Sequence, residues 1–263
     1  MSEINIDLHP AQLEIFNSEK RFKVVAAGRR FGKSRLAAWI LLIKALQSDE
    51  KDVFYIGPTF QQAKDIMWLM LKELGEPFIA AAHENTAVLT LTNGRRIYLK
   101  GSDRPDTLRG VGLAYVVLDE YASMKPVVWE QIIRPTLADV RGGALFIGTP
   151  AGKNHFYDLY NEALIDDDWE AWQFNSTDNP FIPEDEIEAA AKTMSSMSFR
   201  QEFEASFETF SGGIFKEEWF KTEPEPDEGH YVIAIDPAGF EAVEKERNLK
   251  RSRLDETAIA IVK

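Results

Sequence analysis

Gly28-Arg29-Arg30-Phe31-Gly32-Lys33-Ser34 brings two glycines, a lysine and a hydroxyl together in one short polar stretch. Such a stretch can hold phosphate. Backbone N–H groups face an anion, a lysine reaches the β- and γ-phosphates, and a serine hydroxyl ligates Mg²⁺. In the usual spacing the first glycine falls at Ala27, and here Gly28 comes one place later. Alanine disfavours positive φ, so the loop is expected to turn at Gly28. A second constellation, Asp119-Glu120, ends the apolar run Tyr115-Val116-Val117-Leu118. One acid there suits a Mg²⁺ shell and the next suits polarising an attacking water, the form of a Walker B motif. Thr149 follows the apolar run Leu145-Phe146-Ile147-Gly148 and could sense a γ-phosphate; a turn residue before Pro150 fits the same stretch equally well.

These groups need elements to carry them. Val24-Val25-Ala26-Ala27 reads as a buried strand, and Leu36 to Ile43 continues the loop as an apolar helix. Strand, loop and helix in that order are the context that a phosphate loop requires. Asp52–Gly57 followed by the helical spacing of Phe60–Leu74 is a second strand–helix unit, as in a parallel sheet. Ala114–Glu120, Gly143–Gly148 and Trp169–Ser176 read as further strands. In a parallel sheet the carboxyl ends of the strands line the ligand crevice, where Asp119, Glu120 and Thr149 fall. Ala87–Thr92 and Arg96–Lys100 flank Asn93-Gly94, a strong hairpin signal.

The chain has 263 residues, is 44% hydrophobic and contains no cysteine. It can bury a real core, and it excludes disulfides, thiolate metal sites and cysteine nucleophiles. No run approaches the length of a spanning helix, and the first residues lack the pattern of a signal peptide. Net charge is −13, but residues 158–230 alone hold 4 Lys/Arg against 20 Asp/Glu. The acidity sits in one segment, so the sum does not exclude a polyanionic partner. Arg95, Arg96, Lys100 and Arg104 are candidates for a DNA-facing surface, and equally for solvated loops.

Gln12 lies in a short amphipathic element, Leu8–Phe16. Its amide donates and accepts at once, which suits the edge of adenine as well as a solvated helix face. Arg109 sits in a charged, glycine-bounded loop, Ser102–Gly112, with Asp103 and Asp106 available as ion-pair partners. Helices are expected over Glu184–Lys192 and over Phe199–Phe207, where Phe199, Phe203 and Phe207 form a core-facing stripe. Ser211-Gly212-Gly213 and Thr222–Gly229 read as linker. Tyr231–Pro237 and Thr257–Val262 read as two strands, too few to bury a core of their own.

With these motifs in this order, the chain resembles the large terminase subunit of tailed bacteriophages. The resemblance rests on Gln12, the Gly28–Ser34 loop, Thr107-Leu108-Arg109-Gly110, Val117-Leu118-Asp119-Glu120, Ile147-Gly148-Thr149-Pro150, Arg200-Gln201-Glu202-Phe203 and Ala234-Ile235-Asp236-Pro237. It implies an α/β fold, an additional-strand P-loop ATPase domain with a mainly parallel sheet over residues 1–180. A lid or linker would span 181–229 and the first strands of an RNase H-like nuclease 230–263. It implies ATP and Mg²⁺ at Gln12, Gly28, Arg29, Arg30, Phe31, Gly32, Lys33, Ser34, Arg35 and Thr149, with Asp119 and Ser34 toward the metal. It casts Glu120, Arg29 and Arg109 as catalytic, Arg109 as a finger offered to a neighbouring subunit. Asp236 matches a first metal-binding acid of the nuclease, with Asp255 a second; the later acids are missing, so this chain is not expected to cut DNA by itself. The implied partners are double-stranded DNA, a portal protein, a small terminase subunit and further copies in a ring, with a monomer in solution and no membrane. The implied setting is the host cytoplasm. The rival reading is a helicase-like P-loop ATPase of another superfamily.

Overall fold

The computed structural model describes residues 6–208 and the backbone of two short strands beyond them. Its elements begin with α1 (Pro10–Asn17), β1 (Phe22–Ala27), α2 (Lys33–Gln47), β2 (Asp52–Gly57) and α3 (Phe60–Leu74). β3 (Ile79–His83), β4 (Val88–Leu91), β5 (Arg96–Gly101) and β6 (Leu113–Asp119) follow. A π-helical turn, Val128–Ile133, runs directly into the short α4 (Arg134–Thr136). β7 (Gly143–Gly148), α5 (His155–Ala163), β8 (Trp169–Phe174), α6 (Glu184–Thr193) and α7 (Ser196–Phe203) complete this part.

The sheet has eight strands in the order β3-β4-β5-β2-β6-β7-β1-β8. From β5 to β8 all neighbours run parallel, and β3 and β4 add an antiparallel edge. β7 stands between β1 and β6, so an additional strand separates the phosphate-loop strand from the strand that ends in Asp119. This is the expected fold class.

Strand residues alternate between two cores. Val25, Ala27, Tyr55, Tyr115 and Val117 pack with α1, α2 and α3 on one face. Phe22, Val24, Ala26, Phe54, Val116, Leu118 and Phe146 pack with α5 and the π-helical turn on the other. The alternation places Asp119 on the same face as Val117, toward the phosphate-loop helix.

The π-helical turn, α4 and α5 fall in stretches for which the sequence reading gave no element, and two further elements differ from it. β3 has no counterpart in it, because Ile-Ala-Ala-Ala-His has little strand character, and pairing with β4 holds it. The helix expected over Phe199–Phe207 runs instead over Ser196–Phe203. Ala205 has φ 51°, which breaks the helical path. Phe207 then enters the second core against Phe156, Tyr157 and Tyr160. Burial of that ring among aromatics wins over continuing a short exposed helix.

Two compact units divide at Ser211/Gly212. In the second, β9 (Val232–Asp236) and β10 (Ala258–Val262) pair antiparallel, with Asp236 opposite Ala258. Asp255 and the 237–257 excursion lie outside the described residues, as do the expected linkers. Among the described residues no helix is long and apolar enough to cross a membrane.

Candidate nucleotide site

The phosphate loop leaves β1 at Ala27 and enters α2 at Lys33. Its left-handed residues are Arg30 (φ 63°) and Gly32 (φ 95°), not Gly28 as expected from the sequence. Gly28 is required for a different reason: a Cβ there would stand 2.5 Å from the Phe203 carbonyl oxygen and 2.6 Å from Ser176 Oγ. The position is a close approach of three chain segments.

Each carbonyl from Ala27 to Gly32 accepts a hydrogen bond from a side chain. Lys33 Nζ donates to Ala27 at 2.7 Å and to Gly28 at 3.0 Å. Ser176 Oγ donates to Arg29 at 2.6 Å, and Asn179 Nδ2 to Arg30 at 2.6 Å. His9 Nε2 donates to Phe31 at 2.9 Å, and Gln12 Nε2 to Gly32 at 2.8 Å. A carbonyl can only accept, so the His9 bond sets its Nε2–H tautomer. With the carbonyls drawn into the protein, the N–H groups at the start of α2 are left facing the cleft. Those of Gly32, Lys33 and Ser34 make no hydrogen bond among the described residues. That is the electrostatic form of an anion site. Phe31 pins the loop from below, fully buried, stacked on Phe174 at 5.1 Å and edge-on to His9 at 5.0 Å.

The acids come from β6. Asp119 is buried; its Oδ1 accepts the Glu120 N–H at 2.9 Å and its Oδ2 accepts the Tyr55 hydroxyl. Burial, and then the charge of Glu120, push its pKa up to about 6. Glu120 itself is left-handed, φ 55° and ψ 44°, a strained conformation for a non-glycine residue. Gly148 of β7 lies beneath it, where a Cβ would meet Glu120 Cα at 3.4 Å. Thr149 Oγ1 accepts from Lys33 Nζ at 3.1 Å. Burial lowers the Lys33 pKa, opposed by the charges of Glu120 and Asp119.

One cleft of about 1230 Å³ gathers Arg29, Arg30, Gly32, Lys33, Ser34, Arg35, Glu120 and Thr149 with residues 179–183 and helices α6 and α7, which follow β8. α6 and α7 contain no buried residue; both line the cleft, and α7 meets the loop through Glu202. Arg29 N–H donates to the Glu202 carbonyl at 2.6 Å, and its guanidinium pairs with the Glu202 carboxylate. That hydrogen bond, reinforced by the carboxylate charge, raises the Arg29 pKa. A large concave cleft on which a few polar and charged groups converge is the ordinary form of a ligand site.

The chain matches the family described as "Terminase large subunit, T4likevirus-type, N-terminal" over residues 24–222. It belongs to the large terminase subunit family. The terminase large subunit of Escherichia phage T5 is 31% identical over 216 residues, which are 78% of this chain and 49% of that protein. That of Thermus virus P23-45 is 31% identical over 172 residues, 58% of this chain and 36% of that protein. The chain thus spans about half the length of these curated relatives, or less. The solved ATPase domain of the Thermus phage P74-26 large terminase superposes with a TM-score of 0.66 at 27% identity, covering 76% of this chain and 94% of that one. The large terminase of another thermophilic bacteriophage, solved in complex with ADP, shares the fold, with a TM-score of 0.69 at 18% identity over 88% of this chain and 62% of that one.

The sequence-expected residues separate into groups. Lys33, Ser34, Arg29, Arg30, Glu120 and Thr149 converge on the cleft. Phe31 does not; it is core. Gln12 has both amide ends engaged, accepting from His9 N–H at 3.0 Å and donating to Gly32. Arg35 reaches the cleft edge but pairs with Asp7 at 3.0 Å. Arg109 stands apart, half-exposed, 3.5 Å from Asp106, at a smaller recess with Gln131, Thr136 and Asp139. Arg96 pairs with Asp52, and Lys100 lies over the Phe54 and Tyr98 rings. The side chain of Asp236 lies outside the described residues. Sequence reasoning missed His9, Tyr55, Ser176 and Asn179, and it quoted Glu202 in a motif without giving it a role. Each acts through a partner far along the chain, and only the Asn and Ser following a strand end carried any local signal.

Proposed function

We propose that this chain hydrolyses ATP as the motor portion of a machine that moves double-stranded viral DNA into a procapsid. The observation that carries the reading is the loop whose Arg29, Arg30, Phe31 and Gly32 carbonyls are held from outside, beside Glu120 in the same cleft. A loop fixed this way presents preorganised N–H groups to phosphate, and electrostatic preorganisation is the main resource of phosphoryl-transfer sites.

The donors present suit Mg²⁺: the Asp119 carboxylate and the Ser34 hydroxyl are oxygen ligands, as a hard cation requires. Bound Mg²⁺ supplies charge neutralisation on the phosphate oxygens. The chain's own residues do the rest. Lys33 exchanges the Ala27 and Gly28 carbonyls for phosphate oxygens. Glu120 orients and polarises the attacking water. Thr149, already on the Lys33 ammonium, is placed to register loss of the terminal phosphate. Arg29 contributes charge from within the subunit, and Gln12 sets the edge that meets adenine.

Arg109 lies outside its own cleft, which supports a role at the site of a neighbouring copy. On this reading the motor is a ring when packaging and a monomer in solution, working with a portal protein, a small terminase subunit and DNA in the host cytoplasm. Residues 181–229 act as lid and linker. Residues 230–263 carry strands of an RNase H-like nuclease in which Asp236 would hold a divalent metal.

The test is Mg²⁺-dependent ATP hydrolysis per subunit against protein concentration. Specific activity that rises with concentration and collapses on Arg109→Ala supports sites completed between subunits. Flat activity indifferent to Arg109 overturns the ring reading, and absence of nucleotide binding overturns the whole.

A further inference from the structure

We propose that Tyr55 is a positioning residue for the metal-binding carboxylate of Asp119. The proposal rests on the nucleotide reading above. It adds a residue on a different strand, in no motif, whose hydroxyl determines how that carboxylate is presented.

Tyr55 lies in the middle of β2, fully buried on the α2 face of the sheet. β2 pairs with β6 so that Tyr55 stands opposite Val117, and Asp119 is two residues further along. That diagonal is within reach of a long aromatic side chain. A phenol is a rigid stem with its donor at the tip, and here the tip meets Asp119 Oδ2. Asp119 Oδ1 is held from another direction by the Glu120 N–H at 2.9 Å. With one donor on each oxygen, the carboxylate plane cannot turn. Remove the phenol hydroxyl and only the Glu120 bond remains, about which the group is free to swing.

Tyr115 supplies an internal control. It is also a buried tyrosine on the same face, yet its hydroxyl has no hydrogen-bond partner among the described residues. Packing therefore does not account for the Tyr55–Asp119 bond, since both rings fill core and only one hydroxyl is engaged. Burying a hydroxyl costs free energy unless it is paired, so a hydroxyl at position 55 has its return in that bond. A Mg²⁺ ligand must meet near-octahedral geometry, and loss of a partner that orients a metal ligand typically lowers affinity about 10- to 100-fold.

The experiment compares wild type, Tyr55→Phe and Tyr115→Phe in the full chain. Mn²⁺ is the probe: its affinity in the presence of ADP is read by electron paramagnetic resonance. Binding of a fluorescent ATP analogue without divalent cation is the second readout, and thermal unfolding without ligand the third. Tyr55→Phe is expected to weaken Mn²⁺ about 10- to 100-fold while metal-free nucleotide binding stays within about twofold. Tyr115→Phe is expected to change neither. Mn²⁺ affinity unchanged in Tyr55→Phe overturns the proposal, and so does an equal loss of metal-dependent and metal-free binding, which marks a general packing role. A wild-type chain that binds no nucleotide overturns the underlying reading instead, an outcome separable from either of these.

Discussion

The phosphate loop and the Arg109 loop are both short, charged, glycine-bounded connections, and they are built in opposite ways. In the first, Lys33 of the loop itself holds the Ala27 and Gly28 carbonyls, and side chains from elsewhere in the fold grip the four from Arg29 to Gly32. The Arg109 loop is anchored by buried Leu108 and by Ser102 and Asp103 on the Gly57 and Pro58 carbonyls, but among the described residues Arg109 itself has just its N–H on the Asp106 carbonyl at 3.4 Å and an exposed ion pair at 3.5 Å. Exposed pairs of that kind contribute little. A receptor that must fit one anion gains from rigidity, because ordering it on binding would cost affinity. A side chain that must reach another molecule gains from being loosely tied.

That contrast can be broken experimentally, most sharply at Arg109. Arg109→Ala should lower the turnover of concentrated protein by about 10³- to 10⁵-fold, the range for arginines supplied to phosphoryl transfer, and leave the thermal midpoint unchanged. A large drop in stability would show the loop to be structural. Glu120→Gln comes next: a lost water-polarising group lowers turnover by about 10²- to 10⁴-fold, with nucleotide affinity retained.

The phosphate loop is also supported from behind, through Lys23. Lys23 Nζ donates to the Ile15 carbonyl at 2.7 Å and so ties down α1, the helix that brings in Gln12. Burial, and then the charge of Lys44, lower the Lys23 pKa to about 8. The folded chain therefore sheds this proton near pH 8, while the unfolded chain holds it to the ordinary lysine value near 10.4. Across that window the unfolded state binds more protons, so stability rises with pH. Denaturant melts from pH 7 to pH 10.5 should show wild type gaining about 3 kcal/mol relative to Lys23→Met. A constant difference would mean that Lys23 titrates normally and that α1 is not tied down by a buried ammonium.

The smaller effects lie at single contacts. Asn179 donates to the Arg30 carbonyl and accepts the Phe181 N–H at 3.0 Å. Asn179→Ala should cost about 1 kcal/mol in stability and weaken nucleotide binding, as expected for one or two part-exposed hydrogen bonds. Asp106→Asn, its counterpart in the other loop, should leave stability unmoved within the error of a melt. Equal effects at Asn179 and Asp106 would erase the distinction between the two loops.

What the sequence determined by itself was whatever chemistry demands of neighbouring residues. Strand, loop and helix around Gly28–Ser34, the acids closing β6 and the parallel core follow from apolar periodicity and contiguous motifs, and the structure has them in that order. The same local logic failed at Gly28, where a close approach rather than a positive φ needs glycine, and at Phe207, where core packing overrode helical spacing. Only the tertiary structure decided what holds the site. Tyr55 meets Asp119 across 64 residues, Ser176 meets Arg29 across 147 and Asn179 meets Arg30 across 149. No periodicity links such positions; they meet because β1, β2, β6 and β8 share one sheet and deliver their ends to one edge. Arg109 belongs to the same category, since its type and spacing were readable but its distance from its own cleft was a property of the fold.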